Sequence, residues 1–516
     1  MARTKVKPLP KIMGLVVIAL VAFFGIKYLN DSGAIEKIAP KKGGGTASVA
    51  GPKLNKSEIQ DVVKIGVVTW GGYAGGQYFN GGFKASKESR YFKEYGILVE
   101  FVLMDDFDAS RAAWKSNDIN LQWITADAFP TEAVALKEFN PKIIFQADWS
   151  RGGDAIVVRP GISKVSDLKG KKVAVAYGTP SHTFILWLLE ANNMTFRDVE
   201  LVQVKSAIDA AAMAKSGSVD AAVVWSPDDD DVVQKMPGWK KLKTTKEATN
   251  IIADVFYAKE SYIDGNEDKL RKVVEGWLRG AAEINSSPDA KNKAAEILSR
   301  GLGQDAIFCA NAINNTRLCT FGDNKGFFTI DGCSACVTGE QLYMKMSNLF
   351  KQVGVISENP PAWRLVSDTR ILRLINLAGV EHEAEGSQTF TKATVVEAKA
   401  EAFASKTVSI VFPSGSAVVG DEARYTIDRD VVPVLKAFGA SRVRVEGNTD
   451  NIGGAAQNKA LSQRRASAAV QYMVQQHGFD INRFIEIGNG PDKPVANNDS
   501  ETGRALNRRT EFQLLN

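Results

Sequence analysis

Near the C-terminus, Asp450 and Arg465 offer an acid and a base that a fold could bring face to face. Asp450 follows the strand-like run RVRVE, and Arg465 lies beyond a glycine turn on a helix-like stretch. On that helix Ala466, Ala469, Val470 and Met473 recur at i, i+3, i+4 and i+7, which predicts a core-facing stripe. Arg465 precedes the stripe, so its side chain covers the turn before it and can reach the strand end that carries Asp450. Such a pair is either structural or holds a ligand between its charges.

A second candidate lies in mid-chain. The buried-strand pattern KVAVAYG leads into Thr179-Pro-Ser181-His182, which opens a helix. Free N–H groups and the helix dipole there suit an anion, with the hydroxyls as donors; an ordinary N-cap is the alternative. The acidic run Asp228 to Asp231 reads as a solvated loop.

Other chemistry is hard to place. The three histidines, His182, His382 and His477, fall in three different segments. No G-x-S-x-G, H-E-x-x-H or P-loop pattern occurs, and GGYAGG lacks the order of a dinucleotide loop. The expectation is no enzyme activity, no cofactor and no metal. Cys309, Cys319, Cys333 and Cys336 are spaced C-x9-C-x13-C-x2-C, a pattern that could serve zinc. In an exported chain two disulfides are expected instead, with three connectivities open.

Export is suggested by the N-terminus. Arg3, Lys5, Lys7 and Lys11 precede the apolar run at 12–29. It is about long enough to cross a bilayer, so a retained inner-membrane anchor is expected, with the rest of the chain periplasmic. A cleaved signal peptide is the alternative. The +5 net charge is spread over alternating signs, which argues against nucleic acid as a partner.

The elements that position these groups fall into blocks. Residues 1–30 read as the anchor and 31–61, rich in Gly, Ala, Ser and Lys, as a flexible tether. From 62 to 378 strand and helix patterns alternate, an α/β arrangement too long for one lobe. A polar linker at 379–405 leads to a compact α+β unit at 406–516.

The middle block resembles the solute-binding proteins for nitrate, sulfonate, taurine and thiamine-precursor pyrimidines. The resemblance rests on KIGVVTWGGYAGG, DINLQWITADAFP, DWSRGGDAIVVR, the Thr179 stretch, DAAVVWSPD and IIADVFYAKESYI. It implies a two-lobed periplasmic binding fold of type II. It also implies a cleft lined by Thr69, Trp70, Gly71, Thr125, Asp127, Ser150, Asp154, Thr179, Ser181, His182, Trp225 and Ser226. Trp70 and Trp225 would sandwich a flat or apolar group or else pack in the core. Oxyanions and flat heterocycles are the expected ligands, sulfonates with an apolar tail first. The family also includes eukaryotic pyrimidine synthases, but their cysteine-rich iron motif is missing here.

The last block resembles the OmpA-like peptidoglycan-binding domain. NTDNIGGAAQNKALSQRRASAAVQYM and GNGPDKPVANNDSETGRALNRRTEF carry that family's motifs. The resemblance implies that Asp450 and Arg465 grip the ammonium and carboxylate of meso-diaminopimelate, with Asn458 and Arg508 in support. Together these features predict a membrane-anchored, wall-attached solute-binding protein, with a membrane protein as a further possible partner. The alternatives are a scaffolding protein whose binding fold contacts another protein, and an ion-motor subunit. A motor needs an acid inside the membrane, and the first acid here is Asp31.

Overall fold

The computed structural model describes residues 54–515 apart from 55–56, 59–60, 332–335, 387 and 414. The expected anchor at 12–29 and most of the tether lie outside these residues. Among the described residues no helix is long and apolar enough to cross a membrane. The transmembrane helix in the expected fold is therefore corrected, and with it the inner membrane as partner and as location. The run at 12–29 suggested a span by composition and length alone, and no described helix supplies one.

In chain order the strands are β1 (Val63–Val67), β2 (Val99–Leu103), β3 (Leu121–Thr125), β4 (Pro141–Ser150) and β5 (Asp154–Val158). They continue with β6 (Lys172–Ala176), β7 (Glu200–Val204), β8 (Ala221–Trp225), β9 (Lys240–Thr244), β10 (Ala253–Lys259) and β11 (Thr316–Leu318). The C-terminal block adds β12 (Ala402–Val408), β13 (Arg442–Asn448), β14 (Phe484–Gly490) and β15 (Thr510–Leu515).

They form three sheets, ordered β11-β4-β10-β3-β1-β2, β7-β6-β8-β5-β9 and β12-β15-β13-β14. The first two are the lobes of a binding-protein fold, each mixing parallel pairs with an antiparallel returning strand. The central strands read as nearly unbroken apolar runs because helices cover both faces. The chain crosses between lobes twice, at 151–153 and at 245–252. Thr245 ties the crossings together. Its Oγ1 accepts from the Gly152 N–H at 2.7 Å and lies 2.9 Å from Ser150 Oγ. Gly152 has φ of 123°, a backbone region that a side chain would strain.

In the third sheet the helix Ala455–His477 lies across β13 and β14. Ala466, Ala469, Val470 and Met473 are fully buried on that face. The close approach depends on glycine: a Cβ on Gly447 would stand 2.4 Å from the Ser462 carbonyl oxygen. This sheet docks on the second lobe. Asn193 pairs with the backbone of Ser405 and Thr407, and Asn250 with that of Lys436 and Ala437.

The two expected disulfides are also corrected. Cys309 and Cys319 are free thiols in the core, where neighbouring apolar side chains exclude water. Cys333 lies outside the described residues, and Cys336 is not a free thiol. Among the described residues no cluster of metal-ligating side chains converges on a common point.

Candidate functional site: a closed cleft and a C-terminal pocket

The cleft lies where strand ends from both lobes meet at the crossings. Thr125, Asp254 and Asp148 are register partners across β3, β10 and β4, so the three side chains share one face. Two donors from the loop after β1 reach down to them. Trp70 Nε1 donates to Asp148 Oδ2 at 3.2 Å, and the Tyr73 hydroxyl donates to Asp254 Oδ1 at 2.6 Å. On the other side of the crossing, Ser150 Oγ donates to Asp154 Oδ2 at 2.6 Å. Asp127, just past β3, accepts a long bond from the Ala253 N–H at 3.5 Å.

Four carboxyl groups thus sit in one water-poor region. Burial pushes Asp127 up to about 6 and Asp154 up to about 7, with neighbouring carboxylates adding to the Asp154 shift. Asp148 and Asp254 also titrate above the usual carboxylate range, through burial first and then through neighbouring acids. None of the four has an ion-pair partner among the described residues. The nearby Arg111 is held by Glu132 at 2.6 Å.

The remaining cleft residues are mostly committed to the protein itself. Thr69 caps Asp105 through its N–H and hydroxyl. Trp70 lies where a Cβ on Gly153 would be 2.0 Å from its ring, and Gly71 packs against the backbone of Ala312. Thr179 donates to the Ala176 carbonyl at 2.7 Å instead of facing outward. Ser181 and His182 are fully buried, and the imidazole stacks on Tyr177 with ring centres 4.4 Å apart. The Phe350 ring lies 5.6 Å away, and burial lowers the His182 pKa to about 4, so the ring is neutral. Trp225, half-buried, meets Phe107 of the first lobe across the cleft at 6.3 Å. The Ser226 N–H donates to the Gly153 carbonyl at 2.8 Å. The lobes are closed on one another. Beside the cleft a cavity of about 400 Å³ opens between Gly152, Ser226, Thr244, Lys246 and the amides of Asn311, Asn314 and Asn315.

Sequence reasoning missed Asp148, Asp254 and Tyr73. The available signal was an aspartate inside an apolar strand, which is rarely buried without a reason. The acidic run differs from its expectation as well: it opens the helix Asp228–Lys235, and Asp229 is buried against Lys241 at 2.6 Å.

In the C-terminal block, Asp450 follows β13 and Arg508 precedes β15. Their side chains pair at 2.7 Å, and Arg508 also holds Glu501 at 2.6 Å. Arg465 reaches the same corner by another route. Its Nε donates to the Ser416 carbonyl at 3.0 Å, and its guanidinium lies over Phe412 at 5.1 Å. Burial lowers its pKa, and the Asp450 charge opposes that shift. Asn458 donates to the carbonyl oxygens of Ile452 and Asp450, fixing the turn that carries the acid. An acid and two bases therefore border one half-exposed corner, a site suited to a zwitterion.

A two-lobed, hinge-closed fold carrying a small α+β unit is the class defined by this geometry. Residues 150–291 match the family described as NMT1/THI5 like, and residues 411–508 match the OmpA family. The chain joins a binding-protein fold of the first kind to a C-terminal domain of the second. The Pseudomonas aeruginosa outer membrane porin F is 36% identical over 93 residues, 18% of this chain and 27% of that protein. The chain thus spans about a quarter of that relative's length. The taurine-binding periplasmic protein of Escherichia coli is 22% identical over 220 residues, 42% of this chain and 67% of that protein. Among solved structures, the periplasmic aliphatic sulphonate binding protein SsuA of E. coli aligns with a TM-score of 0.47 at 19% identity. That alignment covers 65% of this chain and 98% of that one.

Proposed function

We propose that this chain is a cell-envelope protein held at peptidoglycan by its C-terminal domain, with a two-lobed binding fold as a fixed module of the envelope. The corner formed by Asp450, Arg465 and Arg508 is the observation that carries the wall-binding half. Diaminopimelate presents an ammonium and a carboxylate on one carbon, matching an acid flanked by forked bases. The two-lobed half rests on the fold, the paired crossings and the convergence of both lobes on one buried polar cluster. Neither half calls for catalysis, and no enzyme activity is proposed.

A scaffolding role, in which the binding fold contacts a protein partner, is the second reading. The tight closure of the lobes favours it, since Trp70 packs directly on Gly153 at the first crossing. Co-sedimentation of the full chain with purified sacculi tests the first half of the proposal. The wild type should pellet with the wall, and Asp450→Ala should stay in solution. Co-purification of a small molecule with the chain, read by native mass spectrometry, separates a binding module from a scaffold.

A further inference from the structure

Four aspartates, Asp127, Asp148, Asp154 and Asp254, converge on the interlobe cleft from both lobes, with none of them ion-paired among the described residues. Their partners are neutral donors: Trp70, Tyr73, Ser150 and one backbone N–H. One oxygen of Asp127 and one of Asp148 have no hydrogen-bond partner. The hydroxyls of Thr125 and Thr183 face Asp127, yet they and Ser181 complete no hydrogen bond either, although all three are buried. Buried acceptors and hydroxyls left without partners at a hinge are costly. They make sense where something enters when the lobes part.

The sign of the site decides what that is. An oxyanion at these four groups would have to lie among buried carboxylates whose own hydrogen-bond partners are all neutral, an unfavourable arrangement in a low-dielectric cleft. The geometry points to a small organic cation, an aliphatic ammonium, as the ligand of this cleft. This rests on the ligand-binding reading proposed above. A metal ion fits less well, since among the described residues no three ligating groups converge closely enough to hold one. Trp70 and Trp225 border the same space and supply aromatic faces of the kind that hold ammonium groups. Burial keeps protons on these carboxyls, as their raised pKa values indicate. Entry of a cation should drive them out.

The test is calorimetric titration of the full chain with butylammonium, butyltrimethylammonium and, as a charge-reversed match, butanesulfonate. At least one of the cations should bind, and the observed heat should differ between phosphate and Tris buffers because protons are released. Asp148→Asn and Asp254→Asn keep the shape and remove the charge. Each should weaken cation binding by about tenfold or more. Asp154→Asn, on the other lobe, serves if either fails to fold. Binding of butanesulfonate without either cation would overturn the inference while leaving a ligand-binding module in place. Cation binding unchanged in the folded Asn variants would overturn it too. If none of the three probes binds and nothing co-purifies, the inference falls together with the reading beneath it.

Discussion

Arg508 and Asp450 form the direct ion pair of the C-terminal pocket, at 2.7 Å, while Arg465 donates to the carbonyl of Ser416 and leans on Phe412. The two arginines therefore have different parts. Arg508 holds the acid in place, and Arg465 is kept beside it by backbone oxygens without being neutralised by it.

That division predicts unequal mutants. Arg465→Ala should remove the carboxylate fork and cost binding to diaminopimelate-type wall on the order of 2–5 kcal/mol. Arg508→Ala should free Asp450 for a ligand ammonium while loosening its position, so the loss should be smaller. Binding curves of both variants on purified sacculi check this, and equal losses would refute the division of roles.

The buried acids predict a pH dependence of stability. Asp154, at about 7, Asp254, at about 8, and Asp148, which burial raises well above the usual carboxylate range, keep protons in the fold that the unfolded chain has lost above about pH 4. More protons bound in the folded state means that stability falls as pH rises. His182, lowered to about 4, works the other way, but only below about pH 6.5. From pH 6.5 to 9 the melting temperature should drop, on the order of 5 °C, and Asp154→Asn should flatten the slope. Scanning calorimetry of the full chain across that range checks it, and a rising profile would contradict the carboxyl assignments.

The two free thiols predict a labelling pattern. Burial pushes Cys309 up to about 11 and Cys319 well above the ordinary thiol range, so neither is a nucleophile in the fold. A maleimide should leave both untouched in native buffer and modify both after denaturation without reductant. Peptide mass mapping reads the sites. Failure of either to label after denaturation would restore a disulfide.

The hinge predicts a stability effect. Thr245→Val removes the hydroxyl by which the second crossing holds the first and strands the Gly152 N–H, a loss of about 1–3 kcal/mol. Chemical denaturation should show the midpoint shift with little change in slope. An unshifted midpoint would show that the crossings are held by other contacts.

Much of this was legible in the sequence, for physical reasons that differ by region. The stripe Ala466, Ala469, Val470, Met473 lies on one helix, so its 3.6-residue period alone fixes which face is buried. The Asp450–Arg508 pair was harder, because Arg508 comes from a distant strand entry and only the sheet order β15-β13 sets it beside Asp450. Asp148 and Asp254 were hidden for the same reason: each is a lone acid in an apolar run, and the antiparallel β4–β10 register makes them neighbours. The two-disulfide expectation took its weight from the reading of an exported chain, and spacing carries no information on whether cysteine side chains meet. The membrane helix rested on an apolar run outside the described residues.

Calorimetric titration of the full chain with a soluble stem peptide containing meso-diaminopimelate tests the central claim most directly. A matched peptide carrying lysine, which keeps the ammonium and lacks the second carboxylate, is the control. The wild type should bind the first and not the second, and Asp450→Asn and Arg465→Ala should each abolish binding without unfolding the domain. Equal binding of both peptides, or undiminished binding by both variants, would contradict attachment to the wall through this corner.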